Sequence, residues 1–203
     1  MSTLTSLKES EMDRNPFVQF GKWFQERLDA GVDTPNAVSL ATASGVGYVS
    51  LRTVLMKEFD QSGFVFFSNH LSKKGNQLEN NPLAALLFYW PEFSRQVRIE
   101  GLVYKVSAEE SDSYFRTRPE ESKLSAWASE QGSVIPDRQY LEDRFAFYRN
   151  KFRSEPIERP PHWGGYRLVP TWFEFWQLGE HRLHDRLCYT LTGDKWMINR
   201  LAP

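Results

Sequence analysis

The sequence predicts an α+β domain in which helices flank an antiparallel β-sheet or barrel. An amphipathic helix stands near the start, and short apolar runs typical of strands fill residues 37–107 and return after residue 165. The order of helix, strands, helices and strands lacks the regular alternation that a parallel doubly wound sheet requires. With 203 residues, 40% of them hydrophobic, the chain is long enough to bury one core.

The first helix follows a polar stretch, and we therefore expect a flexible segment over residues 1–14 and a single domain over residues 15–203. Asn15 is able to cap this helix, and Pro16 suits its first turn. The apolar positions recur near helical spacing before Gly31: Phe17, Phe20, Phe24 and Leu28.

Five β-like runs come next: AVSLATAS, GYVSLRTVLMKEF, GFVFFSN, AALLFYW and RQVRIEGLVYKVS. A helical stretch is predicted from Ala108 to about Ser129. A second helix is predicted within DRQYLEDRFAFYRNKF, where an apolar stripe consists of Leu141, Phe145, Tyr148 and Phe152. The chain then returns to strands and ends in a hairpin that turns at TGDK.

Charge and cysteine content exclude several classes of function. The formal net charge is −1, so the chain lacks the positive field that non-specific nucleic-acid binding needs. The single cysteine, Cys188, excludes an internal disulfide and a multi-cysteine zinc site. Without a signal peptide or a long apolar run, we expect a cytoplasmic protein with no membrane or nucleic-acid partner. No dinucleotide-binding, Walker, zinc-protease or serine-hydrolase motif is present.

The stretch FEFWQLGEHRLHDRLCYTL places Arg182, His184 and Arg186 at every second position. If this stretch is a strand, all three side chains project to one face, and that face favours an anion. A metal site is not expected, because His181 and His184, three residues apart, point to opposite faces of a strand.

Three further clusters contain candidate residues for binding an anion, which for two of them would be a phosphate. In SNHLSKKGNQLENNP, Ser72 is a natural helix cap and places Lys73 and Lys74 in the first turn, where a phosphate would balance them. The alternative is a solvated lysine pair. Arg52 lies inside an apolar strand, so it either meets an anion, reaches solvent, or pairs with an acid such as Glu100.

The third cluster is SDSYFRTRPEES. On a helix, Tyr114 and Arg118 share a face as i, i+4 neighbours, and Ser122 follows after Pro119. These donors suit a second phosphate, although an isolated helix face of this kind is also compatible with simple solvation. Gly164 and Gly165 are interpreted as a tight turn into the next strand.

Taken together, these clusters resemble the pyridoxamine 5′-phosphate oxidases, FMN-dependent enzymes with an antiparallel split β-barrel. The resemblance covers residues 15–203 and is most specific in W-Q-x4-R-L-H-D-R. It rests on RTVLMK, FSNHLSKKGNQLENNP, RQVRIEG, YFRTRPEES, SEQGS, HWGGYRL, FEFWQLGEHRLHDR and the final RLAP.

The resemblance implies the site residues and a homodimer with the flavin between two subunits. Implied FMN contacts are Arg52, Lys57, Phe67, Ser68, Lys73, Lys74, Gln96, Gln131, Gly132, Trp176 and Arg186. Implied substrate contacts are Lys57, Tyr114, Arg118 and Ser122 at the phosphate, with Arg182 and His184 beside the pyridine ring as catalytic residues.

The implied reaction is hydride transfer from pyridoxine or pyridoxamine 5′-phosphate to the flavin, then reoxidation by O2 to give hydrogen peroxide, with pyridoxal 5′-phosphate as product. Two features depart from the family pattern: Leu178 stands where a glycine is usual, and the N-terminal Arg-Arg-Glu-Tyr segment has no match. The alternatives are a phenazine-biosynthesis-type flavin oxidase and a non-catalytic protein that binds FMN or pyridoxal phosphate.

Overall fold

The computed structural model describes residues 6–203, in which eight strands form one antiparallel sheet. The strands are β1 (Ala37–Ala43), β2 (Val49–Asp60), β3 (Gly63–Asn69), β4 (Leu83–Trp90), β5 (Arg95–Lys105), β6 (Trp163–Gln177), β7 (Asp185–Thr192) and β8 (Lys195–Arg200). Their order is β3-β2-β1-β4-β5-β6-β7-β8, and an additional β3–β6 pairing closes the first six into a barrel. The predicted α+β class and antiparallel split barrel are confirmed.

In the described part of the chain, five α-helices flank the barrel. They are α1 (Pro16–Asp29), α2 (Lys73–Asn80), α3 (Ala108–Thr117), α4 (Glu120–Ala128) and α5 (Arg138–Lys151). Two predicted caps are confirmed, because the side chain of Asn15 accepts from the backbone N–H of Phe17 and that of Ser72 accepts from Gly75. None of the helices in residues 6–203 combines the length and the apolar character that crossing a membrane would require.

The core is aromatic and joins α1 to the barrel. The Phe20 ring is fully buried and meets Phe64 and Phe88 edge-on, each with ring centroids 4.9 Å apart. Trp23 packs in the same way on Phe175 at 5.2 Å. The predicted stripe on α1 is correct except at its last position, since Leu28 is 41% exposed.

The helical stretch predicted from Ala108 to Ser129 is two helices. Arg118 adopts an extended conformation between them, with φ −70° and ψ 148°, because the ring of Pro119 disfavours a helical conformation in the preceding residue. The predicted stripe on α5 lies at the contact with α4, where Tyr148 and Phe152 pack on Trp127 at 5.7 and 5.4 Å, but no residue of α5 is fully buried.

The segment expected to be flexible, residues 1–14, is described from residue 6 onwards, and this part packs against β7 and β8. The backbone N–H of Leu7 donates to Asp185 at 3.0 Å, and the Arg200 guanidinium binds Glu9 at 2.8 Å. Met12 is buried in the core cluster. Residues 1–5 lie outside the described residues, and the boundary at residue 15 stays a prediction.

Candidate active site

A cavity of about 990 Å³ lies where α2, α3 and α4 meet β2 and β3. Five cationic side chains line it, and no Asp or Glu is among its lining residues: the cations are Arg52, Lys57, Lys73, Lys74 and Arg118. Within residues 6–203, none of the five forms a salt bridge. Uncompensated positive charge at this density makes the cavity a site for anions.

Arg118 shows this need for an anion most directly. Its Nη1 atom is buried and has no hydrogen-bond partner in the described part of the chain. The guanidinium lies 4.5 Å from the centroid of the Trp163 ring, and burial lowers the pKa of Arg118. A buried donor without a partner is costly, so an anion bound here would satisfy it. The predicted helical face with Tyr114 is wrong, since Arg118 follows α3 rather than belonging to it.

Stacked aromatic rings pack against Tyr114, one of the predicted phosphate contacts, and lie near Lys57, another of them. The rings of Phe67 and Tyr114 stack with centroids 4.0 Å apart, and Trp163 stacks on Phe67 at 5.4 Å. The Lys57 Nζ atom lies 5.8 Å from the Tyr114 ring. A β-bulge between Met56 and Glu58 leaves Lys57 as the extra residue of β2, and Lys57 lines the cavity.

Lys74 is buried and held by three neutral oxygens. Its ammonium group donates to Gln131 at 2.9 Å, to Ser68 at 3.0 Å and to Ser72 at 3.2 Å. Burial and the nearby charge of Arg52 lower the pKa of Lys74. Because no partner is an acid, the charge of Lys74 remains available to a ligand.

Arg52 is also held by neutral groups, which were not foreseen. Its Nη1 donates to Thr42 Oγ1 at 2.6 Å and to the Leu40 carbonyl at 3.1 Å, and its Nη2 lies 3.4 Å from Gln77 Oε1. The suggested pairing with Glu100 is wrong, because Glu100 binds Arg98 at 3.0 Å. Burial lowers the pKa of Arg52.

The cavity brings together eleven of the predicted site residues, and five lie elsewhere. Those lining it are Arg52, Lys57, Phe67, Ser68, Lys73, Lys74, Tyr114, Arg118, Ser122, Gln131 and Gly132. Those outside it are Gln96, Trp176, Arg182, His184 and Arg186.

The second group lies at the far end of β6. Gln96, Trp176 and Arg186 are in register across β5, β6 and β7. Gly165 of β6 pairs with Phe67 in the cavity wall, and Trp176 follows eleven residues later, roughly 35 Å along a straight strand. One chain therefore carries two separate groups of predicted site residues.

The strand predicted to align Arg182, His184 and Arg186 is interrupted. β6 ends at Gln177 and β7 begins at Asp185, so only Arg186 is in a strand. Between the two strands, Glu180–Arg182 form a 3₁₀ turn, with φ of 53° at His181 and 64° at Arg182. The alternation argument therefore does not apply to these three side chains.

Gly179 is required by this turn and sets the orientation of His184. A Cβ atom at Gly179 would lie 2.0 Å from the Leu183 carbonyl oxygen. The Gly179 N–H donates to His184 Nδ1 at 3.2 Å, and the His184 ring lies 4.8 Å from the Trp176 ring. Because Nδ1 accepts, a neutral His184 carries its proton on Nε2 and presents that N–H as a donor.

Arg186 is anchored by Glu174, a residue that the sequence analysis did not single out. The Arg186 Nε and Nη2 atoms bind the two carboxylate oxygens of Glu174 at 2.8 and 3.1 Å, and Arg98 adds a third contact at 3.0 Å. Hydrogen bonding to Glu174 raises the pKa of Arg186. Glu174 is 1% exposed. Glu174 is the single acidic residue in the apolar run FEFW, and a carboxylate in such a run indicates a buried acid that requires a cationic partner.

Comparisons with known proteins agree with this geometry. Residues 24–151 match the family model described as pyridoxamine 5′-phosphate oxidase, and residues 163–203 match the pyridoxine 5′-phosphate oxidase C-terminal dimerisation region. The pyridoxine/pyridoxamine 5′-phosphate oxidase of Gloeothece citriformis is 52% identical over 99% of this chain and 94% of its own length. The pyridoxine/pyridoxamine 5′-phosphate oxidase of Paraburkholderia phymatum is 53% identical over 99% of this chain and 95% of its own length.

Solved structures share the fold. PhzG from Burkholderia lata, crystallised with tetrahydrophenazine-1-carboxylic acid, superposes with a TM-score of 0.92 at 29% identity, and the match covers 100% of both chains. A pyridoxamine 5′-phosphate oxidase-related, FMN-binding protein from Nostoc punctiforme has a TM-score of 0.73 at 19% identity over 95% of this chain and 100% of its own. At that identity the second likeness concerns the fold alone.

Proposed function

The chain belongs to the pyridoxamine 5′-phosphate oxidase family, and we propose that it uses FMN and O2 to oxidise pyridoxine and pyridoxamine 5′-phosphates. Both substrates give pyridoxal 5′-phosphate and hydrogen peroxide, and the amine substrate also takes up one water and releases ammonia. The matched family and relatives that share half of its residues support the reaction class, which is flavin-dependent oxidation of these two vitamin phosphates.

The observation that carries the proposal is the group of five cations in one cavity without a carboxylate. FMN and the vitamin substrate each end in a phosphate monoester, and together they bring roughly three to four negative charges. The cation count suits two such groups, and the buried, unpartnered Nη1 of Arg118 supports an oxyanion on its side of the cavity.

The residues of the cavity fit the cofactor. Arg52, Lys73 and Lys74 would bind the FMN phosphate together with the N-terminus of α2, because helix N–H groups and ammonium groups both donate to phosphate oxygens. Further flavin contacts are proposed for Lys57, Phe67, Ser68, Gln131 and Gly132. When bound, FMN supplies the acceptor for the hydride that leaves the substrate.

We propose that a second copy of the chain completes each site. Gln96, Trp176, Arg182, His184 and Arg186 line no part of the cavity in their own chain. Most of them belong to residues 163–203, which match a dimerisation region, so a dimer is the arrangement that supplies them to the cavity of the partner. The flavin then lies between subunits, with donors from both.

The substrate phosphate is assigned to Lys57, Tyr114, Arg118 and Ser122. All four side chains carry hydrogen-bond donors, and Tyr114 is fixed by its stacking on Phe67. Each charge-assisted contact contributes about 1.5–3 kcal/mol, so a few of them would select the phosphorylated vitamin over the free one.

At the other end of the substrate we assign Arg182 and His184. His184 would hold the pyridine ring as a hydrogen-bond donor through Nε2, since its Nδ1 is engaged by Gly179. Arg182 would orient the reacting carbon and polarise its substituent. The left-handed φ of Arg182 supports a functional role, because a non-glycine residue in that region costs on the order of 1 kcal/mol or more.

A phenazine-type oxidase is the second candidate, favoured by the close superposition on PhzG. Against it stands the higher identity to the vitamin phosphate oxidases, which is 52% and 53% for the two relatives above compared with 29% for PhzG. Binding without turnover is the third candidate, and the retained Arg182 and His184 argue against it.

A comparison of substrates tests the proposal. The FMN-loaded protein is incubated in air with pyridoxine 5′-phosphate, pyridoxamine 5′-phosphate or a dihydrophenazine carboxylate, and aldehyde formation and hydrogen peroxide are measured. We expect pyridoxal 5′-phosphate and an equal amount of peroxide from the first two substrates. Turnover of the dihydrophenazine alone would favour the second candidate, and tight binding of all ligands without peroxide would favour the third.

A further inference from the structure

We propose that Gln77, together with Thr42, is a positioning residue that holds Arg52 in the cavity while leaving its positive charge to the phosphate of the cofactor. The inference deepens the proposed function and rests on it for the identity of the ligand. Its basis is a buried network of hydrogen bonds between Gln77, Thr42 and Arg52 in which no carboxylate takes part.

The amide of Gln77 is engaged at both ends. Its Oε1 accepts from Thr42 Oγ1 at 2.6 Å and lies 3.4 Å from Arg52 Nη2. Its Nε2 donates to the Tyr48 carbonyl at 3.1 Å and to Ser50 Oγ at 3.2 Å. The side chain is 6% exposed. These partners fix the orientation of the amide: the Tyr48 carbonyl is an acceptor only, so the group that faces it must be the donor Nε2 of Gln77 and not Oε1.

Thr42 connects Gln77 to Arg52 through its hydroxyl group. Its hydroxyl has one proton, and an arginine is a donor only, so Oγ1 accepts from Arg52 Nη1 at 2.6 Å and gives its proton to Gln77. Thr42 is 2% exposed, so water does not compete for either bond. Bonds arranged donor to acceptor in this way strengthen one another.

The functional feature of this hydrogen-bond network is that the groups bound to Arg52 are uncharged. Arg186, in the second group of site residues, is held by the buried carboxylate of Glu174, which offsets its charge. Among residues 6–203, the hydrogen-bond partners of Arg52 are a carbonyl, a hydroxyl and an amide. A glutamate at position 77 would keep the shape of the side chain, but its charge would compete with a phosphate for Arg52.

The same hydrogen bonds also fix the position of Arg52 relative to Lys73 and Lys74. Gln77 is on α2, whose first turn holds Lys73 and Lys74, whereas Arg52 is on β2. Gln77 bonds to Tyr48, Ser50 and Thr42, and these bonds therefore connect α2, which carries both lysines, to the region of β2, which carries Arg52. Their spacing is fixed before a ligand binds, which lowers the entropic cost of binding.

The test is the Gln77→Glu variant, with FMN and riboflavin titrated into apoprotein and followed by flavin fluorescence. Riboflavin lacks the phosphate but keeps the ring system. We expect the FMN dissociation constant to rise about tenfold or more, while that of riboflavin changes less than about twofold. Gln19→Glu is the matched control, since Gln19 is 5% exposed on α1, accepts from the backbone N–H of Asp13 and is not among the lining residues of the cavity. It should leave the ratio of the two constants unchanged.

Equal weakening of FMN and riboflavin by Gln77→Glu would overturn the inference, because that result indicates a structural role only. If this variant does not fold, Thr42→Val replaces it, and a severalfold rise confined to FMN is expected, whereas an unchanged ratio would again overturn it. Failure of the wild type to bind FMN would count against the proposed function, while wild-type binding with unaltered variant ratios counts against Gln77 alone.

Discussion

The guanidinium of Arg118 lies 4.5 Å from the centroid of the Trp163 ring, with its Nη1 atom buried and without a hydrogen-bond partner among residues 6–203. The ring holds the cation by a contact that does not neutralise it. Trp163 opens β6, and its neighbours Phe67 and Tyr114 stack beside it. The aromatic stack thus presents a desolvated positive charge to the cavity, as recognition of a phosphate requires.

Replacing Arg118 by methionine should impair the use of substrate and spare the cofactor. One charge-assisted phosphate contact is lost, so kcat/KM for pyridoxine 5′-phosphate should fall about 10- to 150-fold, while the FMN dissociation constant stays within about twofold. Steady-state kinetics and FMN titration measure the two effects. Arg116→Met is the control, because Arg116 is exposed on α3 and outside the cavity. Equal loss of FMN binding would contradict the assignment of Arg118 to the substrate.

Gly179→Ala should disturb the turn that orients Arg182 and His184. A Cβ atom there would lie 2.0 Å from the Leu183 carbonyl oxygen, so the turn must shift and the bond from Gly179 to His184 Nδ1 should break. We expect kcat/KM to fall more than about tenfold, because small displacements of positioning groups are costly. Gly45→Ala, where a Cβ meets nothing within 4 Å, should retain wild-type kinetics. Similar kinetics in both variants would argue against a role for the turn.

Glu174→Gln should destabilise the fold. The buried carboxylate binds Arg98 and Arg186, and its loss leaves two cations on the barrel surface without their shared counter-charge. Because both arginines keep access to solvent and only charge-assisted hydrogen bonds are lost, the expected decrease in the free energy of unfolding is about 1.5–3 kcal/mol, measured by urea denaturation at one protein concentration. Glu100→Gln removes an exposed partner of Arg98 and should cost less than about 1 kcal/mol. Equal losses would show that burial of Glu174 contributes little.

Tyr166 should make the fold sensitive to alkaline pH. Burial raises the pKa of Tyr166 to about 12 in the folded chain, and its hydroxyl lacks a partner among the described residues. Between pH 10 and 12 the unfolded chain loses this proton first, so the free energy of unfolding falls as pH rises through that window, by roughly 2 kcal/mol.

Tyr166→Phe should reduce this alkaline loss and cost little at pH 7, because no hydrogen bond is removed. Tyr189→Phe provides the contrast, since the Tyr189 hydroxyl donates to the Asp13 carbonyl at 2.7 Å and its removal should cost about 1 kcal/mol at pH 7. Urea denaturation at pH 7, 10 and 11.5 measures both. An alkaline profile of Tyr166→Phe identical to that of the wild type would refute the assignment.

Local pattern was sufficient to predict the strands and the capped helices. Asn15 and Ser72 cap α1 and α2 as predicted, because a cap depends on residues within one helical turn. Pro119 is a local signal for the break at Arg118, because its ring disfavours a helical conformation in the preceding residue. Gly179 is a local signal for the turn after Gln177, which interrupts the strand that the alternating pattern predicts through His184.

The supporting residues of the site could not be predicted from local pattern. Thr42 and Gln77 are 35 positions apart, and Glu174 meets Arg98 across 76 positions. Such pairs depend on strand register and helix packing, which a single sequence does not reveal. The separation of the site residues into two groups could not be predicted for the same reason, because spacing along the sequence does not indicate which residues line the same cavity.

The most direct test is anaerobic mixing of the FMN-loaded protein with pyridoxine 5′-phosphate while the visible absorption band of the flavin is recorded. The account predicts rapid bleaching, which admission of air reverses, with pyridoxal 5′-phosphate formed in amounts equal to the flavin reduced. A flavin that remains oxidised with saturating pyridoxine 5′-phosphate and pyridoxamine 5′-phosphate would contradict the account.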